Sequence, residues 1–161
     1  MTENAAQSII TEQGDTLEIT SEEINTQICI DKVRHNAAGA VSTFTGTTRD
    51  FFQDKQVESL SYEAYVPMAL KSLEKLCLAV RASYTGIQLI CIQHRLGNVP
   101  VGMESVIIAV SAKHRDEAMH VCEDLINGLK RDCPIWKKEI YTDGTNSWKE
   151  NCECGRSATN R

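Results

Sequence analysis

The chain has 161 residues, of which 42% are apolar and 24% charged, and its formal net charge is -5. This length and composition predict one globular domain with a substantial hydrophobic core. The acidic balance argues against nucleic acid or an anionic membrane as a partner, and no apolar run approaches the roughly 20 residues of a membrane helix.

The N-terminal part of the chain predicts a disordered segment followed by a strand and a helix. Residues 1–15 are polar and are predicted to be disordered. They lack the charge and apolar pattern of a secretory signal or a transit peptide, so we expect a cytosolic protein. The alternation in residues 16–20 predicts a short strand. Thr20 and Glu23 then form a capping-box pattern, which predicts a helix to about Val33.

The rest of the chain alternates between strand and helix patterns. Apolar residues at helical spacing predict an amphipathic helix from Pro67 and another over residues 115–131. The predicted strands cover residues 37–49, 57–65, 87–97, 104–114 and 134–141, with a loop or hairpin tip at 51–56 and a turn at 98–103. This order predicts a mixed α+β domain over residues 16–150, followed by a flexible tail at 151–161.

The seven cysteines predict packing thiols rather than a metal site. Five of them lie among apolar neighbours and are expected to be reduced: Cys29, Cys77, Cys91, Cys122 and Cys133. Cys152 and Cys154 form a C-x-C pattern, but a zinc site needs about four ligands, and no others lie nearby at a suitable spacing. We therefore expect no metal and no cofactor.

The first candidate binding segment follows the strand at 37–49. Thr47, Thr48 and Arg49 combine two hydroxyls, turn backbone amides and a guanidinium, a combination that suits a phosphate. A plain turn with an exposed arginine is the alternative that these residue types favour on their own.

The second candidate lies where a strand gives way to a helix. His114 and Arg115 precede or open the helix, whose free N–H groups and dipole favour an anion. A cation at this end is unfavourable unless an anion binds nearby. The alternative is that Asp116 and Glu117 satisfy the arginine.

The third candidate, "KRDCPIWKKEIY", gathers cations in an acidic chain. Lys130 ends a helix, where a cation suits the dipole. Lys137 and Lys138 alternate along a strand, so only one faces the apolar side. A partly desolvated lysine there would suit a general acid or a covalent amine, whereas solvated lysines are the alternative. "HRLG" at 94–97 is a fourth candidate, for which a strand end with a turn glycine is favoured.

Five of these segments, taken together, resemble a known enzyme family. "GAVSTFTGTTRD", "LSYEAYVPMA", "HRLGNVPVG", "SAKHRDEA" and "LKRDCPIWKKE" occur in the order and spacing of the large, catalytic subunit of molybdopterin synthase. The similarity covers roughly residues 37–150. It implies an α+β fold of the α/β-hammerhead type, with a mixed, mainly antiparallel sheet and flanking helices.

The resemblance also implies a reaction and partners. Members of this family convert cyclic pyranopterin monophosphate to molybdopterin, using sulfur from the C-terminal thiocarboxylate of a small ubiquitin-like subunit. The large subunit forms a homodimer at the core of a heterotetramer. Carried over by motif, the catalytic residues are Lys130 and Lys137. The substrate-binding residues implied by the same motifs are Thr47, Thr48, Arg49, His114, Arg115, Lys138 and Glu139, with Glu139 orienting a lysine.

Other functions stay open at this point. Cys133 lies inside the cationic segment and could carry a persulfide, but the sulfur is brought by the partner in the family, so we interpret Cys133 as a packing residue. The chain could also be a non-catalytic scaffold for a ubiquitin-like tail, or a general phosphate-ester binder.

One geometric conflict predicts how the site is assembled. His114 and Lys130 lie at opposite ends of one predicted helix, roughly 24 Å apart if it is straight. The resemblance nevertheless places both in one pocket. We therefore expect a composite site, with Lys130 and Lys137 from one chain and His114 and Arg115 from its dimer mate.

Overall fold

The computed structural model describes residues 6–150, which form three helices and ten strands. The helices are α1 (Thr26–Lys32), α2 (Val66–Ser83) and α3 (Arg115–Asp132). The strands are β1 (Gln7–Ile10), β2 (Thr16–Thr20), β3 (Ala40–Thr47), β4 (Phe51–Phe52), β5 (Lys55–Ala64), β6 (Ile87–Arg95), β7 (Gly97–Pro100), β8 (Glu104–Ala112), β9 (Ile135–Tyr141) and β10 (Asn146–Glu150).

The strands form two sheets that are mainly antiparallel. One sheet has the order β1-β2-β6-β8-β3 and the other the order β10-β9-β5-β4, with β7 paired to β5. Among the described strands, only β2 and β6 run parallel. The predicted α+β class and the mainly antiparallel pairing are therefore confirmed.

The core lies on both faces of the first sheet, because its central strands β6 and β8 are buried on both sides. Ile90 of β6 and Ile108 of β8 belong to the larger cluster, which includes side chains of α2 and α3. Cys91 and Ile107 point the opposite way into a smaller cluster that includes Cys29 of α1. Each fully buried isoleucine stabilises the fold by about 1.5–3 kcal/mol.

The prediction of disorder over residues 1–15 is wrong for the described part of that segment from Gln7 onward. Strand β1 pairs with β2 in an antiparallel register. Asp15 is fully buried, and its carboxylate accepts hydrogen bonds from the Ile90 backbone N–H at 2.9 Å and from the Arg81 Nε at 2.9 Å. A buried carboxylate is tolerated only when it is paired in this way, so these contacts hold a polar segment that composition alone marks as disordered.

The first helix begins later than the capping-box pattern predicts. Thr20 is the last residue of β2, and its hydroxyl accepts a hydrogen bond from the Glu22 backbone N–H. The helix is capped by Asn25, whose side chain accepts hydrogen bonds from the N–H groups of Gln27 and Ile28. An Asn cap satisfies the free amides as well as a Thr cap does, so the sequence contains competing start signals.

Besides β1, the sequence does not predict two further short strands, β7 and β10, but it does predict one hairpin. Residues 98–103 were expected to form a turn, but β7 occupies the first part of that segment and pairs with β5. Strand β10 pairs with β9 just before the expected tail. The predicted hairpin tip is confirmed, since Gln53 and Asp54 both have positive φ values and connect β4 to β5. None of the helices in residues 6–150 has the length and apolar character needed to cross a membrane.

Candidate functional site

A cavity opens between the two sheets beside the C-terminal end of α3. It contains about 630 Å³ of space not filled by atoms, part of it open to solvent. Its walls come from β3, β6 and β8 of one sheet, from β4, β5 and β9 of the other, and from the last turn of α3. Five residues that the sequence singled out line it: Thr47, Arg49, Lys130, Lys137 and Glu139.

The adjacent residues Lys137 and Lys138 of β9 point to opposite faces of the sheet. Lys137 and Glu139 lie on the same face of β9 and line the cavity. Lys138 faces the other side, where its Nζ lies 5.5 Å from the centroid of the Trp148 ring. The prediction that Lys138 contacts substrate therefore has no support in this cavity, because strand alternation turns its side chain away.

Helix α3 places Lys130 at the cavity because the apolar face of the helix is buried in the core. Leu125 and Leu129 are fully buried in the core, which fixes the rotation of the helix. Lys130 then lies at the cavity wall, next to Leu129, in the last turn of α3. A cation is favourable at this end of a helix, so the site uses a position where lysine also supports the fold.

The segment after β3 places the guanidinium of Arg49 at the cavity, and hydrogen bonds of Thr48 hold this segment in position. Thr48 is buried, and its hydroxyl donates a hydrogen bond to the Val99 carbonyl at 3.2 Å. Its backbone N–H donates to the Met103 carbonyl at 3.1 Å, and its own carbonyl accepts from Gly102 at 2.9 Å. Thr48 is thus occupied in holding the loop that presents Arg49, and the prediction that it binds substrate is not supported by its position.

Glu139 is almost completely buried within the cavity wall and accepts two hydrogen bonds on one oxygen. The Tyr141 hydroxyl donates to its Oε2 at 2.5 Å, and the Lys149 Nζ donates to the same atom at 2.9 Å. The bond to Glu139 raises the pKa of Tyr141 to about 12, with burial as the second cause. The lysine that Glu139 contacts here is therefore Lys149 of β10, which the motifs do not include. The expectation that Glu139 orients a catalytic lysine stays a prediction.

His94 belongs to the cavity although the favoured interpretation of "HRLG" was structural. Its ring is 1% exposed and packs edge-on against Tyr62, with 5.0 Å between the ring centroids. Its Nδ1 lies 2.9 Å from the Arg95 carbonyl oxygen, which only accepts, so the neutral ring donates from Nδ1 and carries its acceptor lone pair on Nε2. Strand alternation from Ile90 and Ile92 was the signal that could have placed this ring on the inner face.

Burial keeps His94 uncharged. The pKa of the imidazole is lowered to about 4, first by burial and then by the charge of Lys130, while the hydrogen bond to Arg95 opposes the shift. The cavity therefore has a neutral hydrogen-bond acceptor on one wall and cationic side chains on others. The structural interpretation also holds, since Gly97 after the strand has a φ of 75°.

His114 and Arg115 do not join the cavity of their own chain. His114 is the N-cap residue of α3, and Arg115 is the first residue of the helix. Lys130 lies near the other end of the same helix, which confirms the predicted helix over this segment. The separation that motivated a composite site is therefore present, while the composite site itself stays a prediction.

Cys133 has the character of a packing residue. It is buried, and burial raises the pKa of its thiol to about 12, with Asp132 adding to the shift. A thiol in that state is protonated near neutral pH, which disfavours nucleophilic sulfur chemistry. Within residues 6–150, no three His, Cys, Asp or Glu side chains come together in a way that could hold a metal ion. The C-x-C pattern lies outside the described residues.

Comparisons with known proteins identify the family of the chain. The MoaE protein family matches residues 19–132. The molybdopterin synthase catalytic subunit of Arabidopsis thaliana is 48% identical over 144 residues, which cover 88% of this chain and 72% of that protein. Catalytic subunit 1 of Aedes aegypti is 45% identical over 147 residues, covering 90% of this chain and 95% of that protein.

Solved structures share the fold. Molybdopterin synthase from Staphylococcus aureus superposes with a TM-score of 0.77 at 36% identity, covering 81% of this chain and 94% of that one. A chain in the Helicobacter pylori complex of subunits 1 and 2 of molybdopterin-converting factor has a TM-score of 0.68 at 23% identity, covering 83% and 90%.

Proposed function

Because the chain belongs to the MoaE family of molybdopterin synthase catalytic subunits, we propose that it installs the sulfurs of molybdopterin in the cavity between its two sheets. The substrate is cyclic pyranopterin monophosphate. The sulfur donor is the C-terminal thiocarboxylate of a small ubiquitin-like subunit. The observation that carries the proposal is the convergence of Arg49, Lys130 and Lys137 on one cavity in an acidic protein.

The charges of the reactants explain why this convergence matters. The pterin carries a phosphate and the tail of the partner carries an anionic thiocarboxylate. Two unit charges about 4 Å apart repel by several kcal/mol at the effective dielectric of a protein site. Cations fixed around the cavity offset that repulsion before the reaction begins, so they act without reorganising.

The roles follow from position. We assign Arg49 and Thr47 to anion binding, because both are exposed and line the cavity at the end of β3. Lys130 and Lys137 are half-buried on two different walls and are assigned to the chemistry. They act as proton donors, or stabilise the oxyanion that forms at the acyl carbon of the partner as its sulfur is displaced.

The functional unit that we propose is a homodimer at the core of a heterotetramer, with His114 and Arg115 reaching the cavity of the other copy. Their place at the start of α3 supports this, since that end lies a full helix length from Lys130. We also propose that the protein works in the cytosol. The five described cysteines are free and buried, as expected of a reducing compartment.

The test is reconstitution from purified parts. The chain, a thiocarboxylated small subunit and the cyclic pterin should together give molybdopterin, detected as its fluorescent oxidised derivative. A small subunit that ends in an ordinary carboxylate is the matched control and should give none. A chain that binds the small subunit tightly but yields no product with either form would be a scaffold, which contradicts the proposal.

A further inference from the structure

Lys149 of β10 lies behind the cavity wall and has two partners there. In the β9–β10 pairing it lies opposite Lys137, so its side chain shares the face of β9 that carries Glu139. Its Nζ lies 2.9 Å from the Glu139 Oε2 and 3.1 Å from the centroid of the Phe52 ring. Only 29% of its side chain is exposed. The ammonium is therefore held at one point by a carboxylate and an aromatic face.

The carboxylate of Glu139 places a negative charge in the cavity wall, and the ammonium of Lys149 offsets it. The side chain of Glu139 is 4% exposed and lines a cavity that receives anions in the proposed function. A buried carboxylate needs a counter-charge, and the Lys149 ammonium, 2.9 Å from the carboxylate, supplies one. Without Lys149, the less compensated negative charge would repel those anions. The hydroxyl of Tyr141 also donates to Glu139, but it carries no charge that could offset the carboxylate.

The contact with Phe52 fixes where that counter-charge sits. Phe52 belongs to the short strand β4 and forms part of the cavity wall. A cation over an aromatic face is attracted by the ring, by roughly 0.5–2 kcal/mol depending on exposure. Lys149 thus joins the β4–β5 hairpin to the carboxylate of β9 across one wall of the cavity.

We infer that Lys149 is a positioning residue for the candidate site. Its ammonium offsets the charge of Glu139 and holds that carboxylate and the Phe52 ring in the cavity wall. With that charge offset, the cavity wall repels the anionic reactants less. This inference rests on the proposed function, since it concerns how the same cavity binds its anionic substrate.

The test is steady-state kinetics of the reconstituted reaction with matched variants. Lys149→Met keeps the apolar stem and removes the charge, and it should raise the KM for the cyclic pterin about tenfold while kcat changes by less than about threefold. Lys149→Arg keeps the charge and should stay within about threefold of the wild type in both constants. Lys75→Met, on the exposed side of α2, is the control for losing a lysine charge far from the cavity.

A double variant distinguishes the loss of charge compensation at Glu139 from a general loss of folding. In Lys149→Met combined with Glu139→Gln, the carboxylate that needs a partner is gone, so the KM should fall back toward that of Glu139→Gln alone. An unchanged KM in Lys149→Met would overturn the inference. The inference would also be overturned if the effects of Lys149→Met and Glu139→Gln on the KM were additive, or if Lys149→Met lowered only the thermal stability. Absence of product with the wild-type chain would instead refute the proposed function.

Discussion

Lys137 and Lys138 are neighbours on β9 but face different surroundings, and this difference allows a test of which lysines take part in the reaction. Lys137 lines the cavity, whereas Lys138 stacks over Trp148 on the outer face of the sheet. Lys130→Ala and Lys137→Ala should each reduce turnover at least about 100-fold, as expected for loss of a proton donor or a charge stabiliser. Lys138→Ala should keep most of the activity. The measurement is product formation in the reconstituted reaction, with the melting temperature of each variant as control.

A different pattern would redirect the assignment. If Lys138→Ala were as inactive as Lys137→Ala while folding normally, the outer face of β9 would take part in the reaction. Wild-type-like turnover by Lys130→Ala would move the chemistry away from α3.

His94 should make the stability of the protein depend on pH. Its pKa is lowered to about 4 in the folded chain, against about 6.5 in an unfolded chain, because burial opposes the charged ring. The unfolded state therefore binds more protons between these values. The contribution of His94 to the free energy of unfolding is therefore fully present above pH 6.5 and is lost as the pH falls toward 4. Between pH 7.5 and pH 5 the loss is about 2 kcal/mol.

The comparison that isolates this effect uses His94→Gln, which keeps polar atoms but does not titrate in this range. Urea unfolding at pH 7.5 and at pH 5 gives the free energy of unfolding of both proteins. The wild type should lose about 2 kcal/mol more than the variant on acidification. Equal losses would mean that His94 is not held neutral by its surroundings.

The sequence predicted which residue types belong to the site better than which way they face. Motif positions placed Arg49, Lys130 and Lys137 together, and the cavity unites them. Thr48 was counted as a ligand although its hydroxyl is used by the Val99 carbonyl. Lys138 is implied by the family motif. Strand alternation predicts that Lys137 and Lys138 face opposite ways, but which of them faces the cavity depends on the pairing partners of the strand.

At the scale of elements, the most informative strand is β10, which sequence analysis left out. It pairs with β9 and carries Trp148 and Lys149. A chain ending at Glu150 retains this strand, and we predict that it keeps wild-type activity, because residues 151–161 lie outside the family resemblance. A chain ending at Thr145 loses Lys149 and one of the two strands that pair with β9, so its activity and its melting temperature should both fall.

These two truncations are assayed for product and for thermal unfolding side by side. A chain ending at Glu150 that folds normally but makes no product would assign a function to the segment with Cys152 and Cys154. Full activity in the chain ending at Thr145 would show that β10 is dispensable.

The elements that sequence analysis predicted well are those with strong patterns of their own. Helices α2 and α3 have amphipathic faces, and β6 and β8 have long apolar runs, so local sequence determines them. Strands β1, β7 and β10 have four or five residues each and mixed polarity. They exist because β2, β5 and β9 offer free hydrogen-bonding edges, and that information lies elsewhere in the chain.

At the scale of the whole molecule, α3 sets the central problem of the site. Its 18 residues carry Arg115 at one end and Lys130 near the other, and only the second end reaches the cavity. One helix cannot bring both residues to one small substrate, since an 18-residue helix is about 27 Å long. We therefore predict that a second copy of the chain completes each cavity with His114 and Arg115.

Complementation between two inactive variants tests this prediction most directly. Lys130→Ala and the double variant His114→Ala with Arg115→Ala should each be inactive as pure dimers. When they are unfolded and refolded together, random pairing makes about half of the dimers mixed, and each mixed dimer has one intact cavity and one doubly altered cavity. Activity in the reconstituted reaction should return to about a quarter of the wild-type value. If the mixture stays inactive although mixed dimers are shown to form, each cavity is built from a single chain and the composite site is wrong.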